Sequence, residues 1–227
     1  MYINILNMKN ILTILLSLTS FIIFAQTKQS SLAFLPNGYN IFETISGDLN
    51  NDDKADCVLL IKATAKNKII KVEHLGIKDR NRRGIIVLFK KETGYKLVTK
   101  NEGCFSSENE DGGVYFAPDL NVNIKKGNLC IDYGHGRYGS WGYNFRYKNN
   151  NFELIGYDNN ENNGPVLNSK TSINFITKKK IVKLNTNKNA INAGEEKFKT
   201  IFTNVKNTAL TKLTAIKDFN VLDVSVY

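Results

Sequence analysis

The sequence predicts a mainly β protein. It reads as a single antiparallel β-rich domain, partial-propeller-like or sandwich, with one C-terminal helix. Three observations predict it. Two continuous apolar runs, at 57–61 and 85–89, are rich in β-branched residues and have strand length. Within 129–147, two segments alternate apolar and polar residues with a period of two. Only at 198–213 does the apolar spacing become helical. No Pro/Gly/Ser-rich linker divides residues 26–227, so one domain is expected.

The elements follow in chain order. The runs at 57–61 and 85–89 predict strands buried on both faces, because neither shows a polar alternate. Thr93-Gly94 turns the chain into a strand at 95–99. A short strand is expected at 114–117 and an alternating one at 120–124, followed by a turn at Lys126-Gly127-Asn128. In the next hairpin Leu129, Ile131 and Tyr133 share one face, as do Trp141, Tyr143, Phe145 and Tyr147. Those aromatics predict a core face. Asn149-Asn150-Asn151 turns the chain back into a strand at 152–157. Segments 173–176 and 181–184 read as a further hairpin. Phe198, Ile201, Phe202, Val205, Ala209 and Leu213 then fit one helical stripe, and Glu195-Glu196 suits the positive end of its dipole. A last strand is expected at 221–226.

The N-terminus is of another kind. Residues 1–25 hold no acid and a single base, Lys9, ahead of a largely apolar run at 11–24 and the small residue Ala25. This order predicts a signal peptide over 1–25, hence export to the periplasm or beyond. The run is short for a stable membrane span. The net charge is +10, which favours acidic partners. The clusters Arg80, Arg82, Arg83 and Lys178-Lys179-Lys180 fall at expected turns, so they read as solvated loops rather than a specific nucleic-acid track. In an exported chain with three cysteines, Cys104 and Cys130 are the expected disulfide and Cys57, in an apolar run, the buried thiol.

Four carboxylates crowd into GDLNNDDKAD, residues 47–56. Counted from Asp48, side-chain oxygens stand at loop positions one, three, five and nine: Asp48, Asn50, Asp52 and Asp56. Lys54 at position seven offers its carbonyl. A tight turn aims alternate oxygens at one centre, and Ca²⁺ takes six to eight of them. Without His or Cys in the loop, Zn²⁺ is disfavoured. The stretch GDLNNDDKADCVLL resembles the calcium loop of FG-GAP and VCBS-type repeats and is similar to dockerin loops. The resemblance covers residues 47–60. It implies calcium ligation by Asp48, Asn50, Asp52, the Lys54 carbonyl and Asp56, between two strands of a propeller blade. Asp53 stands where those families usually carry Gly, in a backbone position that needs left-handed geometry. The motif occurs once, whereas a propeller repeats it.

The second unusual stretch, 133–143, sets four glycines among aromatics, one His, one Arg and one Ser. Glycines let a ligand approach the backbone, aromatics stack on it, and Arg pairs with an anion. His135, Arg137, Tyr138 and Trp141 are therefore the candidate ligand-binding residues. Asp132, His135 and Ser140 are close in sequence, which leaves a hydrolase open, although no nucleophile elbow, His-Glu-x-x-His or phosphate-binding loop occurs. The functional expectation is an exported, calcium-stabilised binding module for glycan or cell-envelope material. The alternatives are a periplasmic inhibitor or immunity protein directed at an effector or envelope hydrolase, and a hydrolase built on 132–141.

Overall fold

A computed structural model describes residues 27–110, 116–206, 209–222 and 224. The strands are β1 (Thr27–Lys28), β2 (Tyr39–Gly47), β3 (Asp56–Ala63), β4 (Ile69–Val72), β5 (Gly76–Asp79), β6 (Arg83–Lys91), β7 (Gly94–Phe105), β8 (Asp119–Lys125), β9 (Asn128–Gly134), β10 (Gly139–Lys148), β11 (Asn151–Asn163), β12 (Val166–Asn174), β13 (Lys179–Asn185) and β14 (Phe198–Asn204). One sheet runs β1-β7-β6-β3-β2. A second is a seven-stranded meander, β14 to β8 in order, and β4-β5 is a separate hairpin. All the pairings are antiparallel.

The two apolar runs become β3 and β6, adjacent in the first sheet. Side chains alternate across a strand, so each run feeds two cores. Val58, Leu60, Ile85, Val87 and Phe89 face the seven-stranded sheet and meet Leu129, Ile131, Phe145, Phe152 and Leu154. Cys57, Leu59, Ile61, Ile86 and Leu88 form a second cluster behind, covered by Phe34 with Leu35 and Tyr39. The covering turn is the 3₁₀ segment Ser31–Phe34, capped by Ser30, whose hydroxyl accepts from the Leu32 N–H. Burial on both faces is why these runs carry no polar alternate.

The expected C-terminal helix is not formed at 198–204. That stretch is β14, paired to β13 from Asn185↔Phe198 to Lys179↔Asn204. Its β-branched residues suit a pleated strand, and Phe202 on the supposed buried stripe is 74% exposed. Val205 and Leu213 are buried all the same: Val205 directly follows β14 and donates its N–H to the Lys178 carbonyl at 2.9 Å, and Leu213 lies in a C-terminal strap at 210–222 that packs on the core. The expected strand at 114–117 lies partly outside the described residues, and Phe116 and Ala117 are irregular. Of 221–226, Val221 ends a 3₁₀ turn, while 223 and 225–226 lie outside the described residues.

Two further expectations are corrected. Cys104 and Cys130 are not paired; all three cysteines are buried free thiols. Cys104 lies in the core between the sheets. Cys130 alternates with Leu129 and Ile131 and so faces outward, where its Sγ meets Asn144 Oδ1 at 3.3 Å. Nor is Arg83 a solvated loop residue. It opens β6 at 3% exposure, donates from Nε to the Ser106 carbonyl at 2.8 Å, and stacks 5.0 Å from the Phe42 ring.

Candidate functional site

The acidic loop joins β2 to β3 and turns within itself. Asp48 Oδ1 accepts the backbone N–H groups of Asn50, Asn51 and Asp52 at 3.1, 2.7 and 3.3 Å, and Oδ2 accepts that of Asp53 at 2.9 Å. Desolvation raises the Asp48 carboxyl, but the four backbone bonds together outweigh it and hold the group below its usual range. Asn51 and Asp53 are left-handed, φ 58° and 61°, a conformation that Asn and Asp tolerate better than other non-glycine residues. Asn50 Nδ2 donates to Asp52 Oδ2 at 3.1 Å, and the Lys91 ammonium stands 3.9 Å from that oxygen.

Asp56 behaves differently. It is fully buried, and its two oxygens accept the N–H groups of Leu49 and Lys90, both at 2.9 Å. It ties the loop to the end of β6. Burial pushes its carboxyl up, the two backbone bonds oppose that, and the Asp52 and Asp48 charges add to the rise. Among the described residues no group of three His, Cys, Asp or Glu side chains is gathered for a metal ion. The donor set fits a hard cation by chemistry, being oxygen only, and Asp48, Asn50 and Asp52 lie on one turn. In this conformation Asp56 is committed to backbone N–H groups.

The Gly-aromatic segment forms the β9–β10 turn, a 3₁₀ turn at Gly136–Tyr138. Gly136 and Gly139 have φ of 50° and 123°, and a Cβ at Gly139 would overlap the Asn160 carbonyl. The structure separates the four sequence candidates. His135 Nε2 donates to the Phe116 carbonyl at 2.8 Å, and its ring meets Phe116 edge-on at 5.4 Å. It staples a neighbouring segment to the turn. Arg137 is exposed and lies against Gly164 on the β11–β12 turn. Tyr138 and Trp141 do come together, on a groove of about 340 Å³.

The register explains that groove. Trp141↔Asn159 and Tyr143↔Tyr157 are direct partners, so they share the face that becomes core further along the strands. Trp141 stacks on Tyr133, 5.1 Å and 14° apart, which fixes its indole plane. Tyr157 lies 5.2 Å from Tyr143. Asn159 Nδ2 donates to Glu161 Oε1 at 3.4 Å, and Ser169 Oγ donates to Glu161 Oε2 at 2.8 Å. Burial raises the Tyr157 hydroxyl, and the Glu161 charge raises it further. Phe219 and Asn220 of the C-terminal strap supply the facing wall. Tyr157, Asn159, Glu161 and Asn220 were not found by reading the sequence. Only the pairing of β10 with β11 brings them to Trp141.

The opposite face of the same strands has a hollow of about 410 Å³ around Asp132, Gly142, Asn144 and Asp158. A Cβ at Gly142 would press on Asp132 Oδ1, so the glycine leaves that carboxylate room where it now stands. Asp132 accepts from Asn123 Nδ2 at 3.0 Å, and Ser140 Oγ accepts from Asn160 Nδ2 at 3.1 Å. Together with the His135–Phe116 bond, this sends each of Asp132, His135 and Ser140 to a different partner, with no relay. No family model matches the chain, and no match was found among curated proteins or solved structures.

Proposed function

We propose that the protein is an exported, calcium-stabilised β-rich module that binds glycan or cell-envelope material. The observation that carries this is the groove in which Trp141, Tyr138 and Tyr157 stand beside Asn159, Glu161 and Asn220. A sugar ring offers C–H faces to aromatic rings and hydroxyls to amides and carboxylates. Apolar walls with a few placed polar groups suit such a ligand. Tyr133 behind Trp141 holds the indole rigid, so little side-chain entropy is lost on binding. Export rests on the leader-like order of residues 1–25. Calcium rests on the oxygen-only loop and its left-handed Asp53.

Titration with peptidoglycan fragments and a glycan array tests the reading. Wild-type protein should retain at least one glycan, and Trp141→Ala should weaken that binding about tenfold or more. A fully folded protein that retains none overturns it. The inhibitor reading is favoured by a different observation. At the tip, Phe116 is 50% and Tyr138 39% exposed, on either side of His135. Rigid exposed aromatics are anchors for a protein partner. Capture of an envelope hydrolase that Phe116→Ala abolishes, with glycan binding absent, would make this reading the right one.

A further inference from the structure

We propose that β12–β14, with the loop joining β13 to β14, docks on an anionic lipid surface. Residues 166–206 carry nine lysines against two acids, a surplus of seven out of the chain's net +10. The two acids are engaged by backbone N–H groups of the loop and of β12. Glu195 accepts the N–H groups of Ile191 and Asn192, and Glu196 those of Leu167 and Gly194. Among the described residues, no lysine of 166–206 forms an ion pair. Lys170 and Lys183 are direct cross-strand partners. Like charges placed opposite one another destabilise a sheet in water, and an anionic partner relieves that cost.

The same segment exposes large apolar side chains. Phe202 is 74%, Ile191 75% and Phe198 41% exposed. The β13–β14 register places Phe202 opposite Ile181 and Thr200 opposite Lys183. Side-chain alternation then puts Phe198 and Phe202 on the face that carries Lys179 and Lys183. Basic and apolar groups therefore leave the sheet in the same direction.

Charge and shape select the occupant. A second copy could pair along the β14 edge, where Phe198, Thr200 and Phe202 are disposed symmetrically, but two surfaces of like surplus charge would meet. Nucleic acid would accept the lysines and stack on Phe202, leaving Ile191 in water. The headgroup boundary of an anionic bilayer takes both kinds of group: phosphates meet the ammonium groups, and Phe and Ile enter the acyl edge.

Vesicle flotation tests this. The wild-type protein is compared with Phe202→Ser, Ile191→Ser and the double variant Lys179→Glu/Lys183→Glu, on vesicles of phosphatidylcholine alone and with phosphatidylglycerol. All four proteins share one N-terminus, so any contribution from residues 1–26 cancels. These side chains are exposed, and unchanged melting temperatures confirm folding. The expected result is binding only to the phosphatidylglycerol vesicles, falling as salt rises. The charge-reversed pair should lose about tenfold or more of it, and each serine variant several-fold. Equal partition of all four proteins overturns the proposal. So does tighter binding to a single-stranded oligonucleotide than to the vesicles. A dimer that dissociates on Phe202→Ser and never binds vesicles overturns it as well.

Discussion

At the scale of single residues, Asp48 and Asp56 carry opposite burdens. Asp48 organises its own turn through four backbone bonds. Asp56 is buried, and its carboxyl is raised by desolvation and by two acidic neighbours. The folded state takes up a proton at Asp56 at higher pH than the unfolded chain does, so this group adds stability as pH falls toward the ordinary carboxylate range and loses it as pH rises through the raised folded value. A cation in the loop favours the ionised form. Calcium affinity should therefore weaken on mild acidification, which calorimetric titration across pH measures. At calcium near 100 times Kd a bound ion would add about 2.7 kcal/mol, or about 5–10 °C in Tm for a domain of this size. Asp48→Ala should lose most of that rise, and melting curves that match in calcium and chelator refute it. The cysteines make an independent prediction. Burial pushes the Cys104 thiol well above its usual range. The native protein should leave Cys104 unmodified by a thiol reagent, and denaturant without reductant should release three reactive thiols.

At the scale of elements, what was legible and what was not has a physical boundary. Strands β3, β6, β9 and β10 were readable because burial on one or both faces imposes a pattern on the sequence itself. β2 was missed because it is an edge strand with a mixed burial pattern, so neither alternation nor an apolar run marks it. β14 was misread for a related reason. Phe198, Ile201, Phe202 and Val205 satisfy a helical period, yet partners on β13 decide the backbone, and no local signal reports them. The same limit applied to the groove. Tyr138 and Trp141 were legible as an unusual composition, whereas Asn159 and Glu161 sit in what reads as a polar tail of β11. The strap at 210–222 shows how such non-local parts hold. Asn101 Nδ2 donates to the Leu213 and Ile216 carbonyls at 3.0 and 2.7 Å, and Phe219, 2% exposed, stacks on Phe105 at 5.1 Å. Phe219→Ala should cost about 3–5 kcal/mol, read by chemical denaturation. Asn220→Ala, on an exposed residue of the same strap, should leave stability within about 0.5 kcal/mol while weakening any ligand held in the groove.

At the scale of the whole molecule, the acidic loop and the aromatic groove lie at opposite ends of the same strands. The loop abuts the β8–β9 turn, where a Cβ on Gly127 would press on Asn51 Oδ1. The groove begins at the β9–β10 turn. β9 spans Asn128–Gly134 between them, about 20 Å at the rise of a strand. Leu49, fully buried in the loop, is part of the core shared by both sheets. An ion at the loop would thus hold the β2–β3 corner against the second sheet and stabilise the shared core. It would meet none of the groove residues. Trp141 is fixed instead by Tyr133, and Glu161 by Ser169 and Asn159. Calcium should therefore raise Tm while leaving ligand affinity unchanged, provided the temperature is low enough to keep the calcium-free protein folded. Titrating one glycan ligand into calcium-loaded and chelator-treated protein well below both melting points measures this. Equal Kd values fit two independent sites joined only through global stability. A Kd that moves severalfold with calcium would require β9 and β10 to transmit a change along their length, and the two sites would then not be independent.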